Sequence, residues 1–308
     1  MNRRTFFKSG LSASAITGSY LLFGKEGVAL SGSAFFSDIV PHDLVAVRGG
    51  EADLMFDRGI DALGGMKTFV RKGETVAVKP NIGWDVSPER AGNTNPGLVR
   101  RIIEHCFDAG AKQVYVFDHT CDNWQGCYSR SGIERAAKDA GAKVVPGDSE
   151  SYYQSVSIPG GRSLSEAKEH EIILGADVFI NVPVLKSHSG ARLTIAMKNL
   201  MGVVWDRGFW HSNDLHQCIA DFAAYRKPDL NVVDAYAVMK RNGPRGVSVK
   251  DVVTMKAQLI STDIVAVDTA AVKLFGSEPE AVRYIHLAAD RNVGRMDLEN
   301  LKIKKIAV

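Results

Sequence analysis

The chain has 308 residues, 45% hydrophobic and 24% charged, and 38 lysines and arginines against 35 acidic residues give it a formal charge of +3. Such a chain can bury a sizeable core, which excludes a disordered polypeptide, and its length suits one large α/β domain or two lobes sharing a cleft. Four of the cations, Arg3, Arg4, Lys8 and Lys25, lie with Glu26 in the first 34 residues, so the remainder is near neutral and a nucleic-acid footprint is excluded.

The N-terminus, MNRRTFFKSGLSASAITGSYLLFG, sets Arg3 and Arg4 ahead of a moderately apolar run rich in Ser, Thr and Gly. The run is too short and too polar to span a bilayer stably. It resembles a twin-arginine export signal, in which the arginine pair is read by a receptor. Residues 1–34 are then the signal segment, cut after Ala29, Ser33 or Ala34 or kept as an anchor, and residues 35–308 the folded region. The resemblance implies the twin-arginine translocase as a partner, a periplasmic or other extracytoplasmic location, and membrane contact only through an uncut signal. That route carries proteins already folded, often with a cofactor loaded, so a cofactor or metal is expected. A basic, disordered start beside a short helix is the plainer alternative.

Strand-length apolar runs follow in order: LVAVR (44–48), TVAVKPN (75–81), QVYVFD (113–118), KVV (143–145), DVFINVPV (177–184), LNVVDA (230–235) and AQLIST (257–262). Helix-like stretches separate them, as in NPGLVRRIIEHCFDAG, where Asn95 caps, Pro96 takes the first helical position and Gly110 ends the helix. Apolar strands alternating with helices predict an α/β fold with a largely parallel sheet covered on both faces. The rhythm thins over 146–176 and 203–229, where a change of lobe or a covering loop would fall.

In such a sheet, functional groups gather beyond the carboxyl ends of the strands. KPNIG places Lys79 and Asn81 there, a cation and an amide suited to an anion, although Lys79 could equally snorkel out of the sheet. FDHTCDNW places Asp118 and His119 at the next strand end, where a carboxylate beside an imidazole suits acid-base work or metal ligation. The densest stretch is VPVLKSHSGARLTIAMKNLMG, with Lys186, His188, Lys198 and Asn199. Lys198 lies between apolar neighbours, so its ammonium must be paired, depressed in pKa or consumed in a covalent bond. His188 can approach it if the chain turns at Gly190 and forms a short helix through Met197. A basic hairpin or helix on the surface is the alternative. His211 and His216 follow among aromatic residues, and Asp263 reads as the N-cap of the apolar helix that contains Asp268.

The cysteines, Cys106, Cys121, Cys127 and Cys218, form neither a zinc ribbon nor a ferredoxin-type iron-sulfur motif. Cys121 and Cys127 could pair in an oxidising compartment.

KPNIG, the strand-end Asp-His, the run from VPVLKSH to MKNLMG and the TDIVAVDTAA helix together resemble the domain-of-unknown-function family 362 over roughly residues 44 to 290. The resemblance implies an α/β domain often found with iron-sulfur or other redox modules, and no settled reaction. HSGARLTIAMKNLMG is also similar to a stretch of the nickel-pincer lactate racemases, in which a histidine precedes the cofactor-bearing lysine. That similarity implies a catalytic role for His188 and cofactor attachment at Lys198, matches Asp118-His119-Thr120 to an acidic-His-Thr strand end, and offers His211 or His216 as a metal ligand. The glycine-rich run that precedes the lysine in that family is replaced here by Arg192 through Met197.

The resulting expectation is an exported, cofactor- or metal-dependent enzyme acting on a small anionic substrate, with racemase-like or redox chemistry on a 2-hydroxy acid. Asp118, His119 and His188 are the expected catalytic groups, and Lys79, Asn81, Lys186, Lys198 and Asn199 the binding groups. A non-enzymatic ligand- or cofactor-binding protein, or a redox accessory, are the alternatives.

Overall fold

The computed structural model describes residues 40–308, so the expected signal segment lies outside the described residues. In chain order the elements are β1 (Leu44–Arg48), α1 (Ala52–Ala62), β2 (Thr75–Pro80), α2 (Pro96–Asp108), β3 (Gln113–Val116), α3 (Trp124–Arg130), α4 (Ile133–Asp139) and β4 (Lys143–Val144). Next come β5 (Tyr153–Ser157), β6 (Glu166–His170), α5 (Glu171–Gly175), β7 (Val178–Val182), β8 (Val184–His188), β9 (Arg192–Thr194), α6 (Ala196–Asn199), α7 (Arg207–Ser212) and α8 (Leu215–Tyr225). The chain closes with β10 (Leu230–Met239), β11 (Val252–Ser261), α9 (Ile264–Phe275), α10 (Arg283–Ala289) and β12 (Ile303–Ala307).

One ten-stranded sheet runs β12-β1-β11-β10-β7-β2-β3-β4, with β8 against β10 and β9 against β8; β5 and β6 pair separately. From β10 through β7, β2 and β3 to β4 every pairing is parallel, whereas β11 is antiparallel to both β10 and β1. The protein is therefore an α/β fold with a largely parallel sheet. Side-chain alternation divides the core into two layers. Val76, Val78, Ile180 and Val182 pack with α1 to α4 on one face, while Ala77, Phe179 and Val233 pack with α6, α8, α9 and α10 on the other.

The same alternation sends Lys79, Asn181, Asn231 and Ser261 to the second face. Register places them side by side, Lys79 against Asn181, Asn181 against Asn231 and Asn231 against Ser261. A buried polar row thus crosses four strands beneath α6. The chain builds outward from β2 through β3 to β4 and then returns to β7 on the other side of β2, so the strand order reverses between β2 and β7. The crevice outside the carboxyl ends of strands at such a switch point is where open α/β sheets bind ligands.

Two sequence expectations change. The run 177–184 is divided at Pro183, whose missing N–H ends the ladder with β2 and lets β8 diverge along β10. The thin stretches 146–176 and 203–229 hold β5, β6, α5, α7 and α8. The β5-β6 hairpin escaped notice because YQSVS and EAKEH are mostly polar and half-exposed or exposed.

Helix starts follow their local chemistry. The Asn95 side chain accepts from the N–H groups of Gly97 and Leu98 with Pro96 in the first turn, and Gly110 takes a left-handed φ of 103° just past the end. Asp263 accepts from the N–H groups of Val265 and Ala266, both at 2.9 Å, and its other oxygen accepts from Arg295 N–H at 2.9 Å. Asp263→Ala removes a cap and a tether together, and a loss of about 1–2 kcal/mol is expected in urea unfolding; an unchanged midpoint would contradict this account of α9.

Candidate functional site

The floor of the switch-point crevice is an ion pair. Lys79 Nζ, at the end of β2, lies 2.9 Å from Asp118 Oδ1, just past β3, and both side chains are almost wholly buried. Asp118 Oδ2 accepts from Ile82 N–H at 2.7 Å, and Tyr128 donates its hydroxyl to the Asp118 carbonyl at 3.0 Å. Lys79 also donates to Asn199 Oδ1 at 2.8 Å, an oxygen that accepts from Asn81 Nδ2 at 2.9 Å. Asn199 Nδ2 donates to Asn181 Oδ1 at 2.8 Å, and Asn181 Nδ2 donates to Asn231 Oδ1 and the Ala196 carbonyl, both at 3.0 Å. This amide chain ties α6 to the polar row of the sheet. Burial lowers the Lys79 pKa, and the Asp118 carboxylate opposes that shift.

The β8-β9 hairpin turns at 189–191, so the turn expected at Gly190 is present. The expected helix from there to Met197 is not: Arg192–Thr194 form a strand opposite β8, and α6 begins only at Ala196. Its first two N–H groups donate to the Asp268 carboxylate at 2.7 and 3.1 Å. Burial raises Asp268 to about 8, and those two N–H groups hold it down.

This geometry delivers two more lysines. Lys186, on β8, is buried and donates only to neutral oxygens, Asn81 Oδ1 at 3.0 Å and the Gly92 carbonyl at 2.6 Å. Burial, with Lys198 nearby, lowers it to about 7. Lys198, on α6, is half-buried, and among the described residues it has no hydrogen-bonding or ionic partner. Desolvation, reinforced by Arg207 and Lys79, lowers it to about 8.

Two imidazoles complete the wall. His119 Nδ1 lies 2.9 Å from the Val204 carbonyl, which can only accept, so Nδ1 carries the proton and Nε2 keeps a free lone pair. Its ring stacks on Trp205 with centroids 4.9 Å apart, and burial lowers its pKa. His188 is the opposite tautomer. Its Nδ1 accepts from the N–H groups of Gly190 and Ala191, both at 3.1 Å, which puts the proton on Nε2. Burial first, then Lys198 and Lys186, depress it to about 2, so it stays neutral. Arg207, at the start of α7, donates to the carbonyls of His119 and Thr120 at 2.8 and 2.7 Å.

These groups surround one cavity of about 490 Å³, lined among others by Lys79, Asn81, Asp118, His119, Lys186, His188, Lys198, Asn199, Arg207 and His211. Its charged lining is four cations and a single carboxylate. Asp118 is already engaged by Lys79.

Residues 76–273 match the family described as Domain of unknown function (DUF362). The chain belongs to this family. A thylakoid-associated protein of Synechocystis is 26% identical over 242 residues, which cover 72% of this chain and 70% of that protein. Among solved structures, the lactate racemase apoprotein from Thermoanaerobacterium thermosaccharolyticum is similar at a TM-score of 0.45 and 12% identity, covering 71% of this chain and 54% of the racemase. The chain thus spans about half the length of that racemase.

The family match runs from β2 into α9 and so includes every group of the cavity. Of the sequence-derived site residues, Asp118, His119, His188, Lys79, Asn81, Lys186, Lys198, Asn199 and His211 line it, and His216 does not. His211 lies with its ring 6.4 Å from that of His188, whereas His216 stacks on Tyr284 at 5.8 Å, so the two are drawn to different surroundings. Among the described residues no three His, Cys, Asp or Glu side chains gather as a metal site. Cys121 and Cys127 are free thiols, Cys121 on the cavity and Cys127 on the buried side of α3. Sequence reasoning missed Arg207, Asn181 and Asp268. Asn181 carried a signal, an amide inside the otherwise apolar DVFINVPV; Asp268 had a weaker one, a carboxylate on an apolar helix; Arg207 had none.

Gly202 marks how closely the chain passes the ion pair. A Cβ there would overlap Asp118 Oδ1 and lie 2.6 Å from Lys79 Nζ. Gly202→Ala is expected to separate the pair and lower stability by at least about 2 kcal/mol, as overpacking adds to a damaged buried charge pair. A variant with wild-type thermal unfolding would show that the pair tolerates the added methyl.

Proposed function

We propose that this chain is an exported enzyme that binds a small anionic substrate in the cavity between β2, β3 and the β8-β9 hairpin. One observation carries the reading: Lys186, Lys198 and Arg207 line the cavity with no carboxylate to neutralise them, because Asp118 serves Lys79. Cations held out of water without counter-charges are costly, and an anionic ligand removes that cost. The two histidines supply the chemistry. His119 presents a bare Nε2 and His188 an Nε2–H, a base and a hydrogen-bond donor that are both neutral. With the substrate's anionic group on the lysines, His119 takes a proton from the substrate while the Nε2–H of His188 hydrogen-bonds the oxygen that gains charge, an arrangement suited to racemase-like chemistry at a hydroxyl-bearing carbon.

The likeness to nickel-pincer racemases asks for a lysine that holds a cofactor and a histidine that holds nickel. Lys198 suits the first role: with its pKa about 8, on the order of a tenth of it is neutral amine at pH 7. The second role is poorly met, since His211 has the His188 ring 6.4 Å away but, among the described residues, belongs to no group of three side chains that could hold a metal. No step of the proposal therefore runs through a metal.

Calorimetric titration with L-lactate and related small anions tests the binding, and chiral chromatography of the same samples tests turnover. Lys186 and Lys198 are charged below about 7 and 8 and lose that charge as pH rises, so affinity is expected to fall between pH 6 and 9. Lys198→Ala should weaken binding by about 1.5–3 kcal/mol, and His188→Gln should slow turnover more than it weakens binding. Saturation without turnover would make the protein a binder; affinity independent of pH would remove the lysines from the site.

Export rests on the Arg3-Arg4 pair. Replacing both with lysine keeps the charge and removes the recognised pair, so the full-length protein should stay in the cytoplasm on fractionation. Continued export would withdraw that part of the proposal.

A further inference from the structure

We infer that the ligand of this cavity is a dianion with a phosphomonoester head, rather than a singly charged carboxylate. The inference rests on the reading of the cavity as an anion site and assigns the class of anion. The lining groups that bear charge are Lys79, Lys186, Lys198 and Arg207 on one side and Asp118 on the other. Asp118 and Lys79 neutralise each other at 2.9 Å. Three cations remain, and a monocarboxylate would leave two of them uncompensated.

Their origin favours a compact head. Lys186 comes from β8, Lys198 from α6 and Arg207 from α7, three separate elements that meet on one cavity. A phosphomonoester carries close to two charges at neutral pH and three terminal oxygens, one for each element. The two carboxylates of a diacid are spread along a chain, so each would meet only part of the set. Arg207 already spends donors on the carbonyls of His119 and Thr120, which fixes its guanidinium beside the head rather than leaving it free in solvent. Beyond the cations the lining includes Trp84, Met201 and Pro244, an apolar wall for the organic part of the ligand. At about 490 Å³ the space exceeds what a three-carbon acid fills.

Phenyl phosphate and benzoate share a ring and differ in the charge of the head, so their dissociation constants at pH 7 by calorimetry, on the full chain, separate the possibilities. Phenyl phosphate is expected to bind at least about tenfold more tightly than benzoate. Arg207→Gln and Lys198→Gln, each checked for wild-type circular dichroism, should narrow that ratio to about threefold or less, an effect that general damage to the pocket would not produce. Benzoate binding as tightly as phenyl phosphate would overturn the dianion while leaving the anion site intact. Malonate matching phenyl phosphate would overturn the phosphate head in favour of two carboxylates. Binding of none of the three up to about 10 mM would overturn the anion site as well.

Discussion

Lys79 and Asp118 meet 2.9 Å apart at the edge of the sheet, and everything above them is arranged so that neither is exposed. Two charges taken out of water must be held in good geometry and hydrogen-bonded on their remaining sides, or the desolvation cost exceeds their attraction. Each requirement is met by a different element. Ile82 N–H serves one carboxylate oxygen, Asn199 serves the ammonium, and Gly202 passes close enough to seal the pair because it lacks a side chain. The pair therefore ties the ends of β2 and β3 to α6 and the turn after it. That is also how it shapes the cavity, since with the carboxylate consumed the other cations are left facing the open space.

The parallel half of the sheet was legible because its strands are buried on both sides and read as continuous apolar runs. Strand ends marked by Lys79-Pro80-Asn81 and by Asp118-His119 led to the cavity, since the carboxyl edge of a parallel sheet is a geometric consequence of strand and helix alternation. What escaped was tertiary. Nothing in RGFWHS distinguishes Arg207 from a solvated arginine; it becomes part of the site only because α7 is laid across the carbonyls of His119 and Thr120. The hairpin between His188 and Ala196 was expected as a helix because the short run offers no period that separates a three-residue strand from a helical turn.

The tautomers of the two cavity histidines are set by backbone, not by neighbouring carboxylates as expected from the Asp118-His119 adjacency. Asp118 turns inward to Lys79, and His119 turns to the Val204 carbonyl and the face of Trp205. A carbonyl fixes a ring without adding charge, so His119 stays neutral among cations that already oppose its protonation. His188 is fixed by two N–H groups of its own turn, an arrangement that a longer loop would not reproduce. The tight turn at 189–191 thus has a chemical consequence as well as a topological one.

Asp268 explains how a four-residue helix can present Lys198 at all. An isolated turn of helix is unstable, because its nucleation cost is met by too few hydrogen bonds. Here its first two N–H groups are taken by a buried carboxylate from α9, and its last residue is held by Lys79, Asn81 and Asn181 through the Asn199 amide. Among the described residues, Lys198, between those two anchors, is left without a partner. Fixing both ends of a segment and leaving its one cation free costs stability in the unliganded protein, because that ammonium is partly desolvated with nothing to balance it. Such a cost is compatible with a marginally stable fold only when it is offset elsewhere or removed on binding, and the rigidity of both anchors favours the second: the lysine is held where a ligand can meet it without first having to be ordered.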